Sequence, residues 1–184
     1  MQRGALIPAL VAQGEWWRLL SSMFLHSGFV HLAVNMLSLY FLGSFIEQAF
    51  GRGRFLALYL LSGISGGLAY LYFGAFDAAV VGASGAIFGL LGGIFGYSLR
   101  RGTFSWQNPI IRQLLILLAL NLYIGFSVPV ISNTSHLGGL AGGIVFGWLV
   151  APTVSRKGLR AISPVAIVLG VEFVLLAAWL LVIA

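Results

Sequence analysis

Few side chains in this sequence could do covalent chemistry, and they gather at the starts of hydrophobic runs. Ser84 stands in Gly82-Ala83-Ser84-Gly85, and His136 in Ser135-His136-Leu137-Gly138-Gly139. His31 and Asn35 lie four residues apart, on one face if the segment is helical, with His26 just upstream. A serine hydroxyl becomes a nucleophile when an imidazole within hydrogen-bond reach accepts its proton. Histidine and asparagine side chains, or a backbone N–H at a helix start such as that of Ser84, can donate to the oxyanion that the attack creates. The absence of cysteine excludes thiol nucleophiles, disulfides and thiolate metal sites. The carboxylates are Glu15, Glu47, Asp77 and Glu172, and Glu47 and Glu172 lie far in sequence from the runs that open near Ser84 and His136. A complete Ser-His-Asp triad is therefore not expected, and a Ser-His dyad is the economical alternative. His26 and His31 are five apart rather than the four of a helical zinc pair, so neither a metal nor a cofactor is expected.

These residues must be positioned by elements suited to a bilayer. The 184 residues are 60% hydrophobic and 8% charged, whereas soluble domains carry about a quarter charged residues. Mean hydropathy is +1.02. The apolar runs are long and continuous, which favours helices over the short alternating strands of a membrane barrel. Runs near the roughly 20 residues that cross ~30 Å of hydrocarbon fall at about 28–49, 55–74, 82–99, 111–130, 136–151 and 162–183. The expected fold is an all-α polytopic transmembrane bundle of about six spans, preceded by an external or interfacial segment over 1–27. No sustained apolar stretch in the first 25 residues reads as a cleavable signal. The net charge of +6 follows the membrane rather than a nucleic-acid face. Arg52, Arg54, Arg100, Arg101, Arg112, Arg156, Lys157 and Arg160 all fall on one side, eight of the ten basic residues, and the positive-inside rule makes that side cytoplasmic. Trp16 and Trp17 precede the first span and Trp148 and Trp179 lie near span ends, as interfacial aromatics do.

Spans one, three and five then all begin at the outer face, which brings His31, Asn35, Ser84 and His136 to one shallow layer. Each residue alone has a plain structural reading: a serine bonded to its own helix, an interfacial histidine, an interhelical hydrogen bond. Their coincidence at one depth favours a site, although depth alone does not choose between His31 and His136 as the base. Glycine spacing adds geometry. Gly139, Gly143 and Gly147 form a small-residue stripe close to the direction of His136, and Gly85, Gly89 and Gly93 form another beside Ser84. Pairing the two stripes would bring Ser84 and His136 together.

The sequence resembles the rhomboid family of intramembrane serine proteases, and the likeness lies in separated motifs spread over roughly residues 14–151. Gly82-Ala83-Ser84-Gly85 resembles the family's GxSG, His31 to Asn35 its HxxxN, Trp17-Arg18 its WR pair, and Gly43, Glu47 and Gly51 its GxxxExxxG. The stretch from His136 through Gly139 and Gly143 is similar to the helix that carries the family's base. The resemblance implies Ser84 as nucleophile, His136 as general base, and His31 and Asn35 with the Ser84 N–H as the oxyanion hole. It also implies packing roles for Trp17, Arg18, Glu47, Gly85, Gly89, Gly139, Gly143 and Phe88, the last standing where the family often has a tyrosine over the catalytic histidine. Its implied substrates are transmembrane segments of other proteins, cut near the extracytoplasmic face of a bacterial inner membrane. The family core has six helices, the first ahead of the WR loop, so these spans correspond to core helices two to six plus an added helix over 162–183. Met1 then reads as an internal start or a truncation. Two other classes of function stay open on the sequence. A non-catalytic relative would bind membrane clients. A transporter or channel would need polar groups through the depth of the bilayer, where spans three and five hold little beyond glycine and aliphatics in their second halves.

Overall fold

A computed structural model describes residues 3–128, 131–151 and 163–183. The basic residues Arg156, Lys157 and Arg160 lie outside the described residues. Short helices α1 (Pro8–Ala12) and α2 (Arg18–Ser21) and a 3-10 turn at Ser22–Phe24 precede the first long helix. That helix comprises α3 (Phe29–Ser38), a π-helical turn at Leu39–Gly43 and α4 (Ser44–Phe50). Five more follow: α5 (Arg52–Phe73), α6 (Ser84–Arg101), α7 (Pro109–Ser127), α8 (Asn133–Val150) and α9 (Pro164–Ile183). Helices α7 and α8 start where a side chain replaces missing backbone partners. Asn108 accepts from the N–H groups of Ile110 and Ile111 at 3.0 and 3.4 Å, with Pro109 at the first helical position of α7. Ser132 accepts from Ser135 N–H at the head of α8.

Among the described residues, four helices qualify as membrane spans by length and hydropathy: Phe29–Phe50, Arg52–Phe73, Pro109–Ser127 and Pro164–Ile183. The protein is an integral membrane helix bundle. The third and fifth expected spans, now α6 and α8, fall short of that hydropathy because glycine and polar residues dilute their aliphatics. The reason is their place: α6 is buried along most of its length, so it faces protein rather than lipid.

Close backbone approach builds the centre. A Cβ at Gly139 would overlap the carbonyl oxygen of Gly85, one at Gly143 that of Gly89, and one at Gly147 that of Gly93. Three glycine pairs thus set α8 on α6 with backbone against backbone, the small-residue packing that membrane helices use in place of a hydrophobic drive. At the far end of this seam the Arg100 guanidinium lies 5.5 Å over the Trp148 ring and donates to the Trp148 carbonyl at 3.1 Å. Helix α5 closes the other side, where a Cβ at Gly66 would come 2.7 Å from the Ser135 carbonyl. Helix α9 docks on α5 through polar contacts: Ser65 Oγ donates to Glu172 at 2.7 Å, and Trp179 Nε1 to the Leu71 carbonyl at 2.8 Å.

The segment before α3 is part of this frame. Leu6 and Val80 exchange backbone hydrogen bonds at 3.0 and 2.9 Å, and Gly82 N–H donates to the Ser22 carbonyl at 3.0 Å. Leu6, Val11 and Leu19 are buried against Leu68, Leu71 and Trp179. The loop that leads into Ser84 is therefore tied to the N-terminal segment.

Candidate active site

Ser84 is the first residue of α6, so its N–H belongs to the helix-start donors that have no intrahelical partner. Gly82, two residues earlier, has φ +130°, and a Cβ there would lie 2.8 Å from His31 Cε1 and 2.9 Å from its Nε2. Glycine is required twice over at this position, once for the backbone conformation and once to let the imidazole approach the loop. Along the α6–α8 seam, His136 reaches Ser84: Nε2 and Oγ are 2.8 Å apart. The His136 side chain is buried, and the Phe88 ring stacks on it with centroids 4.2 Å apart and planes 9° from parallel. His136 Nδ1 is buried with no hydrogen-bond partner among the described residues, so no third group orients the imidazole from behind. Packing does that work, with Phe88 on one face of the ring.

Helix α3 supplies the opposite side. Asn35 is its one buried residue; its Nδ2 donates to the His31 carbonyl at 2.8 Å, and its Oδ1 is buried without a partner among the described residues. One of its two amide hydrogens is thereby used and the other is free to donate. The His31 ring meets His26 edge-on, centroids 5.2 Å apart. Burial, and then the neighbouring His31, pushes the His26 imidazole below its ordinary range. On its Nδ1 side His31 lies 3.3 Å from Ser27 N and 3.0 Å from Ser27 Oγ.

Ser84, His136, His31 and Asn35 all line one cavity of about 740 Å³. Its other walls include α3 (Val34, Ser38), α5 (Gly63, Gly66, Gly67), α7 (Asn121, Ile124) with Val128 just past its end, and the loop at Val80–Gly82. Helices α3 and α7 share no extensive packing with each other, so the cavity lies between two walls that are not clamped together.

Gly82, Gly85 and Phe88 line it too, whereas Trp17, Arg18 and Glu47 sit outside it. Arg18 is buried and ties down the N-terminal segment, donating to the Ala5 carbonyl at 2.7 Å and pairing with Glu15 at 2.5 Å. Trp17 is exposed. Glu47 pairs with Arg52 at 3.0 Å across the α4–α5 corner. Sequence reasoning did not single out Ser27, although a serine four residues ahead of a histidine at a helix start is a legible pattern. Nor did it find the strand-like pairing of Leu6 with Val80, which carries no local signal.

A family model described as the Rhomboid domain matches residues 13–153. The chain is similar to Rhomboid protease GluP of Bacillus subtilis (strain 168), 40% identical over 166 residues that cover 90% of this chain and 32% of that protein. It is 41% identical over 149 residues to RHOMBOID-like protein 5 of Arabidopsis thaliana, covering 80% of this chain and 48% of that protein. RHOMBOID-like protein 4 of the same plant is 40% identical over 148 residues, 80% of this chain and 37% of that protein. The chain thus spans from about a third to about half of the length of these curated relatives.

Proposed function

The chain belongs to the rhomboid family, and from that premise we propose that it is an intramembrane serine endopeptidase that cuts transmembrane segments of other membrane proteins with a Ser84–His136 dyad. The observation that carries this reading is the 2.8 Å contact between Ser84 Oγ and His136 Nε2 inside a cavity open to solvent-sized molecules. A hydroxyl and an imidazole at that distance can exchange a proton as the oxygen attacks.

In the proposed steps, Ser84 Oγ attacks the carbonyl carbon of the scissile bond while its proton passes to His136 Nε2. The carbonyl oxygen becomes an oxyanion, stabilised by the Ser84 N–H at the start of α6, by a ring N–H of His31 and by the free amide hydrogen of Asn35. The tetrahedral carbon then expels the amine, which takes the proton from His136, and an ester to Ser84 remains. Water, deprotonated by His136, attacks the ester; the new carboxyl leaves and the proton returns to Ser84 Oγ. No carboxylate takes part, in keeping with the unpartnered Nδ1 of His136.

A substrate helix commits its carbonyls to its own hydrogen bonds, and hydrocarbon offers no replacement for them. The segment to be cut must unwind inside the cavity, where Asn35, Ser38 and Asn121 offer polar groups. By the positive-inside rule the cavity opens toward the extracytoplasmic face of the membrane, which for a bacterial protein is the inner membrane.

A fluorophosphonate probe tests the reading directly. Purified protein in detergent is expected to be labelled at Ser84, with labelling lost in Ser84→Ala. A folded wild-type protein that takes no label would instead indicate a member of the family that binds membrane clients without cutting them.

A further inference from the structure

The orientation of His31 points to a residue outside the dyad and the oxyanion hole. The backbone N–H of Ser27 can only donate, and it faces Nδ1 of His31 at 3.3 Å, with the Ser27 hydroxyl 3.0 Å from the same atom. A ring nitrogen that accepts from an N–H holds a lone pair there, and in a neutral imidazole the proton must then sit on the other nitrogen. That other nitrogen is Nε2, the edge turned to the loop ahead of Ser84. A Cβ placed on Gly82 would lie 2.9 Å from His31 Nε2 and 3.7 Å from Ser84 Oγ, so the ring edge and the hydroxyl flank one small space. The alternative tautomer would set Nδ1–H against the Ser27 N–H, donor against donor, with only the Ser27 hydroxyl to accept from it, and would turn a lone pair toward the place where negative charge develops.

We propose that Ser27 is a positioning residue, which fixes His31 in the tautomer that donates from Nε2 to the oxyanion on the Ser84 side. The local fold explains how. Gly28 is extended at φ 172° and the helix begins at Phe29, with Leu32 N–H donating to the Gly28 carbonyl at 3.0 Å. Ser27 thereby lies one turn ahead of His31, over the ring nitrogen that points to the helix start. His26, edge-on at 5.2 Å, limits rotation of the same ring. The inference rests on the proposed role of His31 in the oxyanion hole.

The test combines spectra and kinetics on the full chain in detergent. With three histidines in the chain, nitrogen-15 labelling of histidine, assigned through a His31→Gln variant, reads which ring nitrogen of His31 carries the proton. Wild type is expected in the Nε2–H form. Ser27→Ala keeps the backbone N–H and loses the hydroxyl; its His31 is expected to show a mixture of tautomers. Its kcat for a transmembrane substrate should fall on the order of tenfold, less than the 10²–10³ that removal of an oxyanion donor costs, with KM unchanged. Ser27→Thr should restore both. The inference is overturned if wild-type His31 carries its proton on Nδ1, or if Ser27→Ala changes neither tautomer nor kcat. It is equally overturned if Ser27→Ala lowers kcat and melting temperature together without moving the tautomer, which is a structural role. A wild type that takes no fluorophosphonate label and cuts nothing overturns the protease reading separately. In that case an Nε2–H spectrum leaves a Ser27 contact without a catalytic consequence, and the inference falls with the reading.

Discussion

The seam between α6 and α8 and the walls formed by α3 and α7 are built on opposite rules. On the seam, glycine meets glycine three times, backbone lies on backbone, and α6 hides most of its length. On the walls, large side chains such as Val30, Val34, Leu37, Tyr123 and Phe126 stand exposed, and α3 buries only Asn35. The seam has no slack, because a backbone atom cannot move aside for an added methyl group. The walls have little to lose, since lipid replaces one apolar contact with another. The two side chains of the proposed dyad, Ser84 and His136, sit on the seam. The cavity that would receive a substrate opens between the walls. A fixed dyad beside a yielding approach is what a protease for membrane-embedded chains would need.

That contrast can be broken most severely at the seam. Gly143→Leu drives a side chain into the Gly89 backbone, and a loss of more than about 4 kcal/mol of stability is expected, read as loss of the folded protein in detergent melting and of all labelling at Ser84. Phe88→Ala removes the ring stacked on His136; it should cost about 3–5 kcal/mol as a large buried truncation, while Phe88→Tyr keeps the ring and should stay near wild type in the same melt. Asn35→Ala tests the one buried point of a wall helix. Its fold should persist, and kcat should drop about 10²–10³-fold if the amide donates to the oxyanion. Smallest of all, Leu37→Ala on the lipid-facing side of α3 should change stability by less than about 0.5 kcal/mol. A seam substitution tolerated as easily as Leu37→Ala would erase the distinction between the two regions.

Much of this was legible in the sequence. The apolar runs located the long helices to within a few residues, because crossing hydrocarbon demands continuous helix. The four-residue spacing of Gly85, Gly89 and Gly93 against Gly139, Gly143 and Gly147 foretold a close-packed pair. Hydropathy alone underrates those same two helices, since glycine and polar residues dilute their aliphatics and α6 faces protein along most of its length. Depth could not say which histidine faces Ser84; the answer depends on which helices touch, and in the structure α8 brings His136 to 2.8 Å while His31 approaches through the Gly82 loop. The tie between Leu6 and Val80 and the pairing of Glu172 with Ser65 join segments far apart in the chain. Each is decided by three-dimensional proximity that no local pattern encodes. Ser27 stands in a legible pattern four residues ahead of His31, but which ring nitrogen it meets depends on the orientation of the imidazole, which spacing does not give.

The most direct measurement is single-turnover cleavage of a transmembrane substrate in proteoliposomes by wild type, Ser84→Ala and His136→Ala, each matched for melting temperature. If the dyad does the chemistry, wild type cuts and both variants lose on the order of 10⁴-fold or more in rate while remaining folded. Cleavage that survives in either folded variant would contradict it.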